Sequence, residues 1–247
     1  MARRIAVLGG AGGIGRALVA RLAEEGAALA VLDLPASLER HPAPSGIPAI
    51  PLDLADARST QAGFTRLAEH FPALDGFVNL AGFASARASL SETTPAVFDE
   101  VMQGNLRGAL LAAQQAMPLL ERGNGASFVN TASGLAQNIR PGYGPYAIAK
   151  AGIIALTRTL ALEAAPKVRV NAVCPGAVDT AFLRGGTGRS DEADAPALDL
   201  SAYVSAIPLG RLAEAEDVVG PISFLLSGDS RYITGQCLWI NGGGYMP

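Results

Sequence analysis

Short uninterrupted apolar runs recur along the chain, and segments of helical period separate them. Residues 5–8 (IAVL) and 29–32 (LAVL) show the pattern most clearly. A strand covered on both faces has no polar side to present, so it reads as a continuous run and not as an alternation. Residues 16–25 between them have helical character, and 50–52 is a weaker third strand candidate. Phe64, Leu67, Ala68 and Phe71 then mark one helix face at i, i+3, i+4, i+7. Residues 76–80, 127–131, 168–173 and 237–240 are further strand candidates; long helices are expected at about 95–120 and 146–163. Strands that alternate with helices connect by right-handed crossovers into a parallel sheet. The expected fold is α/β: a doubly wound Rossmann fold of about seven parallel strands with helices on both faces. At 247 residues it forms one domain, 1–247. No solenoid period or low-complexity tract interrupts it.

Composition excludes several classes of function. With 19 Lys+Arg against 22 Asp+Glu, the net charge of −3 offers no basic face to nucleic acid. No uncharged apolar run approaches the ~20 residues needed to span a bilayer, so no membrane role is expected. Cys174 and Cys237, the only cysteines, argue for a reducing, cytoplasmic setting over a disulfide scaffold. The Arg3-Arg4 pair before residues 5–8 imitates an export signal, but glycines break the run too soon, and it reads as a strand. His41, in a proline-rich loop, and His70, at a helix end, are expected to be solvated; with no other histidine, neither a serine–histidine triad nor a metal site is expected.

The first strand runs directly into LGGAGGIG, residues 8–15. Glycines there permit a tight turn and let the backbone approach a pyrophosphate, while the following helix offers unpaired N–H groups and a positive dipole end. Asp33 closes the second strand eighteen residues after Gly15, where a carboxylate can accept hydrogen bonds from the ribose hydroxyls of an adenosine. A 2′-phosphate would meet that negative charge, and no arginine or lysine stands at Gly12 or Leu34 to offset it. NAD is therefore expected over NADP.

YGPYAIAK, residues 143–150, holds two tyrosines and a lysine. Pro145 suits the first turn of a helix, which leaves Tyr143 in the preceding loop and Tyr146 one turn from Lys150 on the same face. Tyr143 is about 10 Å from Lys150 along the axis. Moving a phenol from about 10 to about 7 requires ~4 kcal/mol. A cation about 4 Å away at an effective dielectric near 20 supplies roughly that. Taken alone, a Tyr/Lys pair at i, i+4 is ordinary helix surface.

The pair does not stand alone. LGGAGGIG resembles the TGxxxGIG of the short-chain dehydrogenase/reductase family, with Leu8 in place of threonine. VNLAG (residues 78–82) resembles its NNAG, with Leu80 in place of the second asparagine. GNLRG (104–108), VNTASG (129–134), YAIAK (146–150), NAVCPGAVDT (171–180) and YITGQCLWINGG (232–243) follow in the family's order, with Ser133 thirteen residues before Tyr146. The resemblance covers nearly the whole chain. Leu8 and Leu80 put loop rigidity and cofactor affinity in question, not the chemistry.

The resemblance implies roles. Tyr146 is general base in oxidation and general acid in reduction, Lys150 lowers its pKa and binds the nicotinamide ribose, and Ser133 holds the substrate oxygen. Asn105 holds a water in a proton relay. Gly9, Gly13, Ile14 and Gly15 meet the pyrophosphate, Asp53 and Leu54 flank adenine, and Asn79, Ala81 and Gly82 lie beside the adenosine ribose. After Pro175 and Gly176, Val178 and Thr180 contact the nicotinamide amide. Phe83, Ala84, Leu135, Ile139, Tyr143, Ala177, Phe182 and Leu183 are expected to face the substrate; Tyr143 could instead pack at an interface. Mostly apolar, they favour a hydrophobic or cyclic alcohol or ketone over a sugar. The irregular stretch 183–197 reads as a linker or, being on the carboxyl side of the sheet, as part of a substrate lid at about 181–207. Cys174 is expected to be a packed thiol, and a homotetramer follows from the resemblance. Two alternatives stay open: a 3-ketoacyl thioester reductase of the same family, and a non-catalytic dinucleotide-binding regulator.

Overall fold

The computed structural model describes residues 2–184 and 199–247. Its strands are β1 (Arg4–Leu8), β2 (Ala28–Asp33), β3 (Ala49–Pro51), β4 (Gly76–Asn79), β5 (Ala126–Thr131), β6 (Val168–Pro175) and β7 (Cys237–Ile240). The helices are α1 (Gly13–Glu24), α2 (Pro35–Arg40), α3 (Ala57–His70), α4 (Pro95–Met102), α5 (Gly108–Leu120), α6 (Gly144–Ala164), α7 (Leu200–Ser205) and α8 (Ala215–Leu226). All seven strands form one parallel sheet in the order β3-β2-β1-β4-β5-β6-β7. The order reverses between β1 and β4. A crevice opens at such a reversal, outside the carboxyl ends of the strands.

Period-two side-chain direction divides β1 between two cores. Ala6 and Leu8 join Leu32, Phe64, Phe77, Leu120 and Phe128 on one face. Ile5 and Val7 join Leu18, Leu22, Val78, Val129, Val218 and Ile222 on the other. The Phe77 ring bridges Phe64 and Phe128, with centroids 5.6 and 5.0 Å away.

The expected helix at 95–120 is not one regular helix. A π-helical turn, Gln103–Arg107, joins α4 to α5. Gly104 lies against Phe83 so closely that a Cβ would fall 2.3 Å from its ring, and the Asn105 amide bonds Val101 O at 2.9 Å. One widened turn leaves the apolar period nearly unchanged, so sequence periodicity does not register it. Nor does the sequence reading place a helix between 183 and 237, where α7 and α8 lie. In α8 the run VVGPISFLL is too evenly apolar to show a period; its signature is the reciprocal Glu214/Asp217 capping box. Of the expected lid, the described parts are a short turn at Ala181–Arg184 and α7; residues 185–198 lie outside the described residues. No described helix is long and apolar enough to cross a membrane.

Candidate active site

One cleft runs along the carboxyl ends of the strands, from Asp33 past the glycine loop to Tyr146 and on to Tyr245. At the front, Gly9 takes φ +79°, in the left-handed region that glycine tolerates. Gly12 precedes α1 with no side-chain cap, which leaves the first N–H groups of the helix turned toward the cleft for an anion. Leu8 is buried in the core, and backbone bonds hold the loop in place of a hydroxyl: Gly9 N–H to Leu32 O at 2.8 Å and Gly12 N–H to Gly9 O at 3.2 Å. Leu80 packs under the sheet and donates its N–H to Leu8 O at 2.8 Å.

The Asp33 carboxylate accepts from Ala11 N–H at 2.9 Å and Leu34 N–H at 2.8 Å. Burial raises its pKa against the pull of these donors. Ser37, Arg40, His41 and Arg16 line the same end. His41 is therefore not the solvated loop residue expected: α2 turns it back toward Asp33, which no local pattern announces. Gly12, Gly13, Ile14, Gly15, Leu34, Asp53, Leu54, Ala81, Gly82, Pro175, Gly176, Val178 and Thr180 all line the cleft as expected. Asn79 does not. Its side chain points beneath the loop, accepting from Ala81 N–H at 3.2 Å and donating to Asn130 Oδ1 at 3.4 Å, so it shapes the floor from behind.

Ser133, Tyr146 and Lys150 come together midway along the cleft. Lys150 is 2% exposed and donates to the Thr131 carbonyl at 2.8 Å. Its Nζ lies 5.5 Å from the centroid of the Tyr146 ring. Gly82 makes this approach possible, because a Cβ there would fall 2.7 Å from Asn105 Oδ1 and 3.1 Å from Lys150 Nζ. Asn105 sits behind, with its amide committed: Oδ1 accepts from Phe83 N–H at 3.2 Å, and Nδ2 donates to the carbonyls of Phe83 and Val101 at 2.9 Å each. It fixes the segment that carries Phe83 and Ala84.

The protonation states differ from the sequence expectation. Burial pushes the Tyr146 phenol up to about 12, opposed by the neighbouring Ser133 hydroxyl. Burial also brings Lys150 down to about 8. In the protein alone, desolvation outweighs the Ser133 hydrogen bond, and the phenol keeps its proton at neutral pH. This is the acid form that reduction of a carbonyl requires. Cys174 is buried; the adjoining Cys237 thiol and burial push it up, which fits a packed thiol. Among the described residues, no group of three or more His, Cys, Asp or Glu could hold a metal ion.

On the substrate side, Phe83, Ala84, Leu135, Tyr143, Ala177, Phe182 and Leu183 line the cleft, and the Phe182 ring stands 6.0 Å from that of Tyr146. Ile139 does not: it is 66% exposed, while its neighbours Asn138 and Arg140 line the cleft. Asn138 is half-buried and Arg140 is exposed at the rim of the cleft. The sequence reading missed both, along with Tyr203, Ile207, Asn241 and Tyr245. Tyr203 donates no hint by spacing, yet its hydroxyl accepts from Ala177 N–H at 2.8 Å.

A doubly wound parallel sheet with a glycine loop at its switch point and a buried Ser/Tyr/Lys group beside it defines an oxidoreductase that uses a nicotinamide dinucleotide. The chain belongs to the short-chain dehydrogenase/reductase family. A family profile described as enoyl-(acyl carrier protein) reductase matches residues 9–245. Levodione reductase of Leifsonia aquatica is 32% identical, across 98% of this chain and 93% of that protein. The 3-oxoacyl-[acyl-carrier-protein] reductase of Staphylococcus aureus is 33% identical, across 100% and 99%. A crystal structure of 3-ketoacyl-(acyl-carrier-protein) reductase from Brucella melitensis complexed with NADH superposes with a TM-score of 0.88 at 26% identity, covering 99% of this chain and 98% of that one.

Proposed function

We propose that the protein interconverts a secondary alcohol and a ketone with NAD(H), and that the substrate is apolar or cyclic. The observation that carries this reading is the convergence of Ser133, Tyr146 and Lys150 in one cleft with the glycine loop and Asp33. NAD(H) supplies the hydride acceptor or donor. The residues fit it: the uncapped start of α1 takes the pyrophosphate and Asp33 the adenosine ribose. Tyr146 gives its proton to the carbonyl oxygen in reduction and takes it back in oxidation. Ser133 donates to the same oxygen as charge develops there. Lys150, tied to Thr131, holds the nicotinamide ribose and biases the phenol, and Asn105, its amide committed to Phe83 and Val101, fixes the segment behind it.

Asp33 favours NAD, and apolar Phe83, Ala84, Leu135 and Phe182 favour an uncharged ring beside the reacting carbon. The relationship to levodione reductase agrees with a small ketone. A 3-ketoacyl thioester substrate, suggested by the second relative, is the competing reading within the family. The intact Ser/Tyr/Lys/Asn set speaks against a non-catalytic regulator. Leu110, Ile148 and Leu162, exposed on α5 and α6, suit a homotetramer built on those helices, and a cytoplasmic setting accords with the two free thiols. The test is a panel of cyclic and acyclic alcohols, ketones and 3-ketoacyl thioesters, each with NAD(H) and NADP(H), followed at 340 nm. Faster turnover of thioesters or of polyols than of cyclic ketones would overturn the substrate assignment.

A further inference from the structure

One stretch of backbone, residues 175–180, joins the two halves of the cleft. At its start, the Pro175 carbonyl oxygen lies 3.3 Å from where a Cβ on Gly134 would stand, next to Ser133. At its end, Thr180 packs on the glycine loop, where a Cβ on Gly13 would fall 2.7 Å from Thr180 Cγ2. Pro175, Gly176, Ala177, Val178 and Thr180 all line the cleft. A dinucleotide laid from the start of α1 to Ser133 and Tyr146 therefore runs its reacting half along this stretch.

Backbone partners hold most of it. Gly176 N–H donates to Ile240 O at 2.8 Å, Ala213 N–H to Ala177 O at 3.3 Å, and Asp179 N–H to Ala213 O at 2.8 Å. Among the described residues, Ala177 N–H has no backbone partner, and the Tyr203 hydroxyl accepts it instead at 2.8 Å. That hydroxyl crowds the neighbouring residue as well. A Cβ on Gly176 would fall 2.9 Å from it and 3.3 Å from Asn241 Cα, so α7 and the chain just past β7 close on the backbone from two sides. Among the described residues, the other hydrogen bonds of α7 stay within residues 199–207. Tyr203 is thus the polar tie between α7 and the cleft.

We propose that Tyr203 is a positioning residue for the nicotinamide half of the dinucleotide, acting through the Ala177 N–H. This rests on the oxidoreductase reading above and adds a residue to it. Hydride transfer needs the ring held at a near-attack distance from the substrate carbon, and a misplacement of about 1 Å is costly. Val178 is buried and Thr180 is set against Gly13, so the stretch is free to shift chiefly at Gly176 and Ala177, where Tyr203 holds it. Without the hydroxyl, a half-buried N–H must find water, and that part of the wall loosens. Asp33, at the adenosine end of the cleft, is anchored by Ala11 and Leu34 and does not depend on this bond.

The test is calorimetric titration of wild type, Tyr203→Phe and Tyr203→Leu with NADH and with ADP-ribose, which keeps the adenosine and the pyrophosphate but lacks nicotinamide. NADPH replaces NADH if the wild type binds it more tightly. The quantity read is the ratio of the two dissociation constants within each protein, so a general loss of folded protein cancels. Tyr203→Phe should weaken NADH by about 3- to 10-fold, the worth of one neutral hydrogen bond, and ADP-ribose by less than about twofold. Tyr203→Leu, which also removes the ring, should shift the ratio the same way and at least as far. A ratio that Tyr203→Phe leaves unchanged, including one in which both ligands weaken equally, overturns the proposal and leaves the oxidoreductase reading standing. A folded wild type that binds none of NADH, NADPH and ADP-ribose overturns both.

Discussion

The Lys150 ammonium donates to the Thr131 carbonyl over 2.8 Å, which ties the middle of α6 to the carboxyl end of β5. The same bond sets where the cation stands relative to Tyr146. Lys150→Met keeps much of the buried volume but removes the charge, and should lower kcat by at least about 100-fold, within the range for a lost proton-transfer component. Lys150→Arg should fare little better, since a planar fork does not fit a pocket shaped to a compact ammonium. Steady-state kinetics beside a thermal melt check this; a variant with full kcat and an unchanged Tm would remove Lys150 from the mechanism.

The direction of reaction should depend on pH. Tyr146 is held up to about 12 and Lys150 down to about 8, both by burial. A phenol that keeps its proton serves as an acid, so ketone reduction should stay nearly flat from pH 6 to 8. Alcohol oxidation needs the phenolate, whose fraction grows about tenfold per pH unit below the pKa. Oxidation should therefore climb across the same interval, and both reactions should vanish in Tyr146→Phe. Oxidation that slows as pH rises through this window would contradict the assignment of Tyr146 as the base.

Cofactor choice should turn on Asp33. Its carboxylate is anchored by the N–H groups of Ala11 and Leu34, so it cannot swing away from an incoming 2′-phosphate. Arg16, Arg40 and His41 line the same end. Asp33→Ser should leave the two arginines to meet the phosphate. The ratio of kcat/KM for NADPH over NADH is expected to rise by at least about 100-fold, the product of a gain and a loss of about tenfold each. An unchanged ratio would place discrimination elsewhere.

Helix starts and cores were open to reading because each is a local or periodic property. Pro145 marked the start of α6, and that alone separated Tyr146, in the cleft, from Tyr143 at the helix entrance. Leu8, Leu32, Val78 and Val129 read as core because a parallel strand must be apolar on both faces. The remainder depended on long-range geometry. Ile139 and Arg140 lie in a loop with no period, so which of them borders the cleft follows from the chain's path. His41 approaches Asp33 only because α2 doubles back, and Asn79 turns beneath the loop to meet Asn130 on a neighbouring strand. The phenol of Tyr146 stays high because burial outweighs the Ser133 hydrogen bond, and burial is a property of the assembled fold.

Two glycine-to-alanine changes should behave oppositely. At Gly15 a Cβ would fall 2.2 Å from the Gly9 carbonyl oxygen and 2.6 Å from Gly10 Cα, both backbone atoms that cannot yield without opening the loop. Gly15→Ala should weaken dinucleotide binding at least about tenfold and lower Tm, because it disturbs a packed turn. At Gly220, inside α8, a Cβ meets nothing within 4 Å. Gly220→Ala should be neutral in binding and stabilise by about 0.5–1 kcal/mol, as expected in a helix interior. Fluorescence titration with NADH and thermal melts separate the two.

Acid stability should depend on Asp75, which ties three strands together at the amino ends of the sheet. Its carboxylate accepts from Arg4 N–H at 2.9 Å, from Arg4 Nε and Nη2 at 3.0 and 2.8 Å, and from Asn124 N–H at 3.0 Å. The Arg4 guanidinium and these N–H donors outweigh burial and hold its pKa down to about 2. A carboxylate with a depressed folded-state pKa stabilises the protein fully above its unfolded value of about 3.9, and that stability drains as pH falls toward 2. After solvent screening the contribution is about 1–2 kcal/mol, worth roughly 2–8 °C in Tm for a chain of this size. Asp75→Asn should lose that amount at pH 7 and show a shallower decline in Tm between pH 4 and 2 than the wild type. Parallel Tm–pH curves for the two proteins would mean that the Arg4–Asp75 pair contributes nothing to stability.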